Sequence, residues 1–226
     1  MQTFKFSRRL VIAAAAAVTM VGTGAQAADK MVDSIHFIIP GGAGGGWDGT
    51  ARGTGEALTK SGLVGNASYE NMSGGGGGKA IAYMIENAKS NEGSLMVNST
   101  PIVIRSLTKV FPQSFRDLTL IAGTIGDYAA FVTNKDSKIK TFSDLVAAYK
   151  VKYIPYDAGG KAMAALLSGE IKALSTGFSE AVALANAGEV NIIGVTSPDR
   201  VAAYKDAPTL KEQGVDAEFV NWRGFF

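Results

Sequence analysis

The sequence predicts an α/β protein built on a largely parallel sheet, and three observations carry the prediction. Short apolar runs rich in β-branched residues alternate along the chain with segments of helical spacing. Glycine-rich turns close two of the runs: five glycines fall within residues 41–47 and five more within residues 74–78. The 226 residues are 46% hydrophobic and 19% charged, which is enough apolar material for a sizeable core.

The elements follow in order. Residues 35–39, Ile-His-Phe-Ile-Ile closed by Pro40, read as a short buried strand. Residues 49–63 carry small and apolar positions at helical spacing (Ala51, Ala57, Leu58) and stop at Ser61-Gly62. A second strand is expected over 67–72, a helix over 81–88, a strand over 95–97 and a helix from Thr100 to 109. Strands over 118–123 and 129–133 follow. Ser143 is expected to cap a helix reaching residue 150, with Asp144 in its first turn. The remainder reads as strand 151–156, helix 161–167, a short strand near Leu174, helix 180–187 and strand 191–196. Ligands of such sheets bind beyond the C-terminal ends of the strands.

The first 28 residues differ in kind. Lys5, Arg8 and Arg9 form a positive region, residues 10–21 an alanine-dominated apolar run, and Ala25-Gln26-Ala27 a small-residue cleavage site. A run of about 12 is too short to span a bilayer, which takes roughly 20. Residues 1–27 are therefore expected to be a removed export signal, with Ala28 the mature N-terminus. Arg8-Arg9 fits both a twin-arginine signal and ordinary n-region charges; either route leads to the periplasm. No second long apolar run follows, so a soluble mature protein is expected.

With 22 basic and 20 acidic residues, formal net charge +2, there is no electrostatic case for a nucleic-acid or polybasic membrane partner. The chain has no cysteine and one histidine, His36, inside the first predicted strand. Disulfides, thiol catalysis and histidine triads are excluded, and no metal site is expected, because zinc wants three or four convergent ligands.

Glycine lets a ligand touch the main chain. A glycine turn feeding a helix also gathers free N–H groups at the positive end of the helix dipole, a site for carboxylate or phosphate. A phosphate-binding P-loop fails at both ends of the second turn: Ser73 stands where glycine is needed and Ala80 where a hydroxyl is needed. The dinucleotide pattern G-x-G-x-x-G is met by Gly44 to Gly49, with Glu70 further on as a possible ribose partner. An exported nucleotide-dependent oxidoreductase is thus one reading, although Asp48 would stand beside the pyrophosphate.

Taken together, "IIPGGAGGGWDGTAR", "ENMSGGGGGKA", "YIPYDAGGKAMAALLSGEIKALSTGFSE", "GVTSPDRVAAYKDAPTLKEQGVD" and "NWRGFF" resemble the periplasmic substrate-binding receptors of tripartite tricarboxylate transporters, the Bug receptors. The resemblance covers nearly all of the chain after residue 28. It implies a two-lobed Venus-flytrap fold, with a first lobe over 28–125 and a second over 126–226, closing on a small di- or tricarboxylate such as citrate. It further implies a monomer with no catalysis and no cofactor, which delivers its ligand to an integral-membrane permease.

Carried across by position, Gly44, Gly45, Gly46, Trp47 and Asp48 match the first ligand loop, and Ser73, Gly74, Gly75 and Gly76 the second. Thr100 matches a turn after the third strand, where helix capping is an equally good reason for it. In the second lobe the matches are Tyr156, Gly159, Gly160, Ser175, Thr176, Gly177 and Ser179. Asp48 is expected to orient water or a polar ligand group, and Trp47 to form a wall or pack beneath the loop. Arg52, four residues on, is expected to pair with Asp48 or solvent.

The chain departs from the family at one join. A helix runs into the expected strand at Val151 with no turn residue, where family members carry a strand, a ligand turn and a helix. The end, "FVNWRGFF", leaves two exposed-looking phenylalanines. The resemblance therefore implies an incomplete second lobe, and a non-binding remnant is a third reading.

Overall fold

The computed structural model describes residues 29–148 and 151–226. The export-signal residues 1–27 and Ala28 lie outside them, as do Tyr149 and Lys150 at the helix-to-strand join.

The described chain forms two lobes that share one seven-stranded sheet system. The first lobe opens with β1 (Val32–Ile39), α1 (Gly46–Lys60), β2 (Val64–Asn71), α2 (Gly78–Glu86), β3 (Ser94–Ser99) and α3 (Thr100–Leu107). Here β1 pairs in parallel with both β2 and β3. Its apolar residues alternate between two cores: Ile38 packs with Met96, Ile81 and Ile102 on one face, Phe37 and Ile39 with Ala51 and Val97 on the other.

β4 (Ala122–Asn134) then crosses into the second lobe, followed by α4 (Phe142–Ala147), α5 (Gly159–Leu167), β5 (Leu174–Gly177), α6 (Phe178–Asn186) and β6 (Val190–Val195). The second core gathers Val132, Leu166, Phe178, Ala181 and Val195. β7 (Val220–Phe225) returns to the first lobe, running antiparallel to β3 on one side and to the first half of β4 on the other. β4 and β7 are therefore the strands that join the lobes, and residues 125 and 126 fall inside β4.

The expectation of a mainly parallel sheet holds only for β1, β2 and β3. The β3–β7, β4–β7, β4–β5 and β4–β6 pairs are all antiparallel. The strand-helix-strand rhythm that suggested a parallel sheet is present in β5-α6-β6. β4, however, arrives from the other lobe and lies between those two strands in the opposite direction.

Other departures are local. The strands expected over 118–123 and 129–133 are one strand, β4, with register shifts at Gly123/Ile125 and at Phe131/Val132. Residues 151–156 form no strand: they pair with no strand of the sheet, and Val151, Tyr153 and Ile154 are exposed. α4 is capped by Thr141 rather than Ser143, through a reciprocal box in which the Thr141 side chain takes the Asp144 N–H and Asp144 takes the Thr141 N–H. Phe225 and Phe226 are buried, not exposed, since β7 carries them back into the first lobe, where Phe226 and Met96 exchange backbone hydrogen bonds.

Candidate functional site

A cleft of about 390 Å³ lies between the lobes, at the C-terminal ends of β1 and β3. This is within the size range of small-molecule sites. Three groups of residues form its walls. The first lobe gives Gly41, Gly42, Gly45, Gly46, Trp47, Ser99 and Arg105; the second gives Tyr156 to Gly159, Ser175 to Gly177 and Glu180; the joining strands give Tyr128, Asn221 and Arg223.

The first glycine turn is shaped by Asp48. Its carboxylate is buried and fully engaged by the chain: the Gly44 N–H donates to Oδ2 at 3.0 Å, while Arg52 Nε and Asn71 Nδ2 donate to Oδ1 at 2.9 and 3.1 Å. Burial alone would raise its pKa. The Gly44, Asn71 and Arg52 hydrogen bonds and the Arg52 charge outweigh burial and leave it lowered. Asp48 therefore faces the inside of its own loop rather than the cleft, and Arg52 is its partner.

The turn can lie as it does because its residues are small. Gly44 is left-handed at φ 78°, and the turn rests directly on the start of α5, where Gly45 and Gly159 face each other and Gly160 approaches the Ala43 and Gly44 carbonyls. Trp47 does both things expected of it: it lines the cleft, packs into both first-lobe cores, and donates from Nε1 to Ser99 Oγ at 2.8 Å.

The second glycine turn acts at one remove. Gly74, Gly75, Gly76 and Gly77 all have positive φ. They do not line the cleft; the Arg105 side chain lies across Gly76, donating from Nη1 to its carbonyl at 3.2 Å, where any Cβ would collide. Among the described residues Arg105 makes no ion pair, so its charge enters the cleft uncompensated.

Of the residues singled out in the sequence, Gly45, Gly46, Trp47, Tyr156, Gly159, Ser175, Thr176 and Gly177 come together in the cleft wall. Gly44, Asp48, Ser73, Gly74, Gly75, Gly76, Thr100, Gly160 and Ser179 stand behind it. Ser99, not Thr100, is the N-cap of α3 and the residue that reaches the cleft. Ser179 donates from its N–H and hydroxyl to Asp127, at 3.2 and 2.8 Å.

Sequence reading missed Arg105, Glu180 and Arg223. Arg223 is buried and bridges Asp127 at 2.9 Å and Glu180 at 3.4 Å, which ties β7 to β4 and α6. The signal available for it was an arginine flanked by apolar and aromatic residues in "NWRGFF", a cation that a buried strand carries only when paired.

The cleft thus gathers the N-terminal ends of α1, α3 and α5, one uncompensated guanidinium and several hydroxyls. That set has the charge and hydrogen-bond donors that a carboxylate requires. No group of three metal-ligating side chains occurs among the described residues.

This is the two-lobed architecture of periplasmic binding proteins. The structure superposes on MatC (Rpa3494) from Rhodopseudomonas palustris with bound malate at a TM-score of 0.74 and 19% identity, covering 86% of this chain and 77% of that one. R. palustris Rpa4515 with adipate gives 0.74 and 16%, covering 86% and 76%. The periplasmic binding protein BugD gives 0.74 and 19%, covering 85% and 75%.

By sequence, residues 149–226 match the family described as "Tripartite tricarboxylate transporter family receptor". A Pseudomonas sp. (strain P51) protein described as "UPF0065 protein in tcbD-tcbE intergenic region" is 23% identical across 97% of this chain and 75% of its own length. That alignment runs over 257 residues, more than this chain's 226, so the relative carries residues that this chain lacks. The chain is similar to the tripartite tricarboxylate transporter receptors, as its motifs imply.

Proposed function

We propose that this protein is an extracytoplasmic solute-binding receptor that captures a small carboxylate and hands it to the permease of a tripartite membrane transporter. One observation carries the reading: Arg105, held across Gly76 with no carboxylate of its own, projects among helix N-termini in a cleft between two lobes. The malate and adipate named with two structures of the same fold support the same ligand class. Citrate extends the series to tricarboxylates.

In this reading the chain works as a monomer without cofactor, is exported by residues 1–27, and performs no chemistry. The acids of the cleft support that last point. Glu180 is bonded to Thr176 and held by the Arg223 charge, and Asp157 is paired with Lys161, so neither acid stands free in the cleft.

Calorimetry and thermal unfolding of the full chain with malate, adipate, citrate and NAD test the proposal. A carboxylate is expected to bind and raise the melting temperature, with no effect of NAD. Arg105→Gln is expected to weaken that binding by about tenfold or more, the scale of one charge-assisted hydrogen bond. A shift with NAD and none with any carboxylate overturns it.

A further inference from the structure

Within this receptor reading, we infer that Glu180 is a resident carboxylate filling the second anion subsite of the cleft. Among the carboxylates that the receptor reading admits, dicarboxylates and tricarboxylates included, the receptor would then bind most tightly those with one carboxylate and a hydrogen-bond-donating far end.

The cleft has two places suited to an anion. One is Arg105 with the Ser99 end of α3. The other, on the joining strands, holds Arg223, the Thr176 hydroxyl and two helix N-termini, and there the Glu180 carboxylate is already seated. Thr176 Oγ1 donates to Oε2 at 2.6 Å, and Arg223 Nη2 lies 3.4 Å from Oε1.

Gly46 and Gly159 close in from opposite lobes. A Cβ on Gly46 would meet Oε1 and the Arg223 guanidinium, and one on Gly159 would meet Oε2. These are the first residues of α1 and α5, so the Glu180 carboxylate sits at the positive ends of two helices and within the first turn of its own, α6. An incoming carboxylate would seek the same arginine, hydroxyl and helix ends.

Charge and hydrogen-bond capacity then set what the far end accepts. Arg223 faces both Asp127 and Glu180, so one positive charge stands against two negative ones. Asp127 is buried away from the cleft with Arg223 and two Ser179 donors, whereas Glu180 is partly open to the cleft at 19% side-chain exposure and has lone pairs to offer. Asn221, on the same wall, has a buried Oδ1 with no donor among the described residues. Acceptors in excess of donors, with surplus negative charge, favour a hydroxyl or ammonium group and repel a second carboxylate.

The test is calorimetry on the full chain with solutes matched in length: succinate against γ-hydroxybutyrate and γ-aminobutyrate, and adipate against ε-hydroxyhexanoate and ε-aminohexanoate. The wild type is expected to bind the hydroxy or amino acid at least about tenfold more tightly than the matched dicarboxylate. In Glu180→Gln, which keeps the shape and loses the charge, that preference is expected to vanish or reverse.

Dicarboxylates bound as tightly as their partners by the wild type, or a preference unchanged in Glu180→Gln, overturn the inference and leave the receptor reading standing. Failure of every carboxylate to bind overturns both. The wild-type ratio decides the matter even where the variant does not fold.

Discussion

Asp48 engages its whole carboxylate with the chain around it, and its consequence is for stability. Its hydrogen bonds hold the charge to lower pH in the folded chain than in the unfolded one, where an aspartate titrates near 3.9. Between the two pKa values the unfolded chain binds more protons. The stabilisation is therefore fully present above about pH 5 and is lost as the pH falls below about 4. Asp48→Asn is expected to lower stability near neutral pH by about 2 kcal/mol and to flatten its fall in acid, read from denaturant melts of both proteins between pH 3 and 7. An acid limb as steep in the variant as in the wild type would assign the effect to other carboxylates. The sequence showed Asp48 as a loop acid at the end of a glycine turn, but not that Asn71, 23 residues away, would turn it inward. The same limit hid Arg223, whose two carboxylate partners lie 43 and 96 positions earlier in the chain.

Elements were more legible than contacts, because period and punctuation are local. α1, α2, α5 and α6 each lie within about three residues of the spans that apolar spacing and glycine stops indicate. The α4 cap shows where local reading slips. Thr141 and Ser143 both precede an apolar run, and what chooses between them is the reciprocal bond to Asp144, three residues after Thr141. Thr141→Ala is expected to cost about 1 kcal/mol in chemical unfolding, and Ser143→Ala much less. Equal losses for the two would place the cap elsewhere. Residues 151–156 have the composition of a strand, yet a strand exists only where a neighbour offers its edge, and composition carries no word of that neighbour.

At the scale of the whole molecule the two-lobed class was readable through family resemblance, while strand direction was not. A strand-helix-strand rhythm is the same whether the intervening sheet position is empty or held by an antiparallel strand from elsewhere. The return of β7 to the first lobe was likewise unseen, since nothing in "NWRGFF" names β3 as its partner. Phe225 now packs with Phe37, ring centres 5.6 Å apart, among Ile39, Ala51 and Val97. Phe225→Ala is expected to cost about 3 kcal/mol or more and to lower the unfolding midpoint of the first lobe along with the second. Loss confined to one lobe would show that the shared sheet does not couple them.

The same return strand governs when the protein can fold. The first-lobe sheet is short of a strand until residue 225 has been synthesised, and β7 must then find β3 and β4 across separations of roughly 90 to 130 residues, a slow, non-local search. Until that strand docks, the first-lobe sheet keeps an open edge at β3.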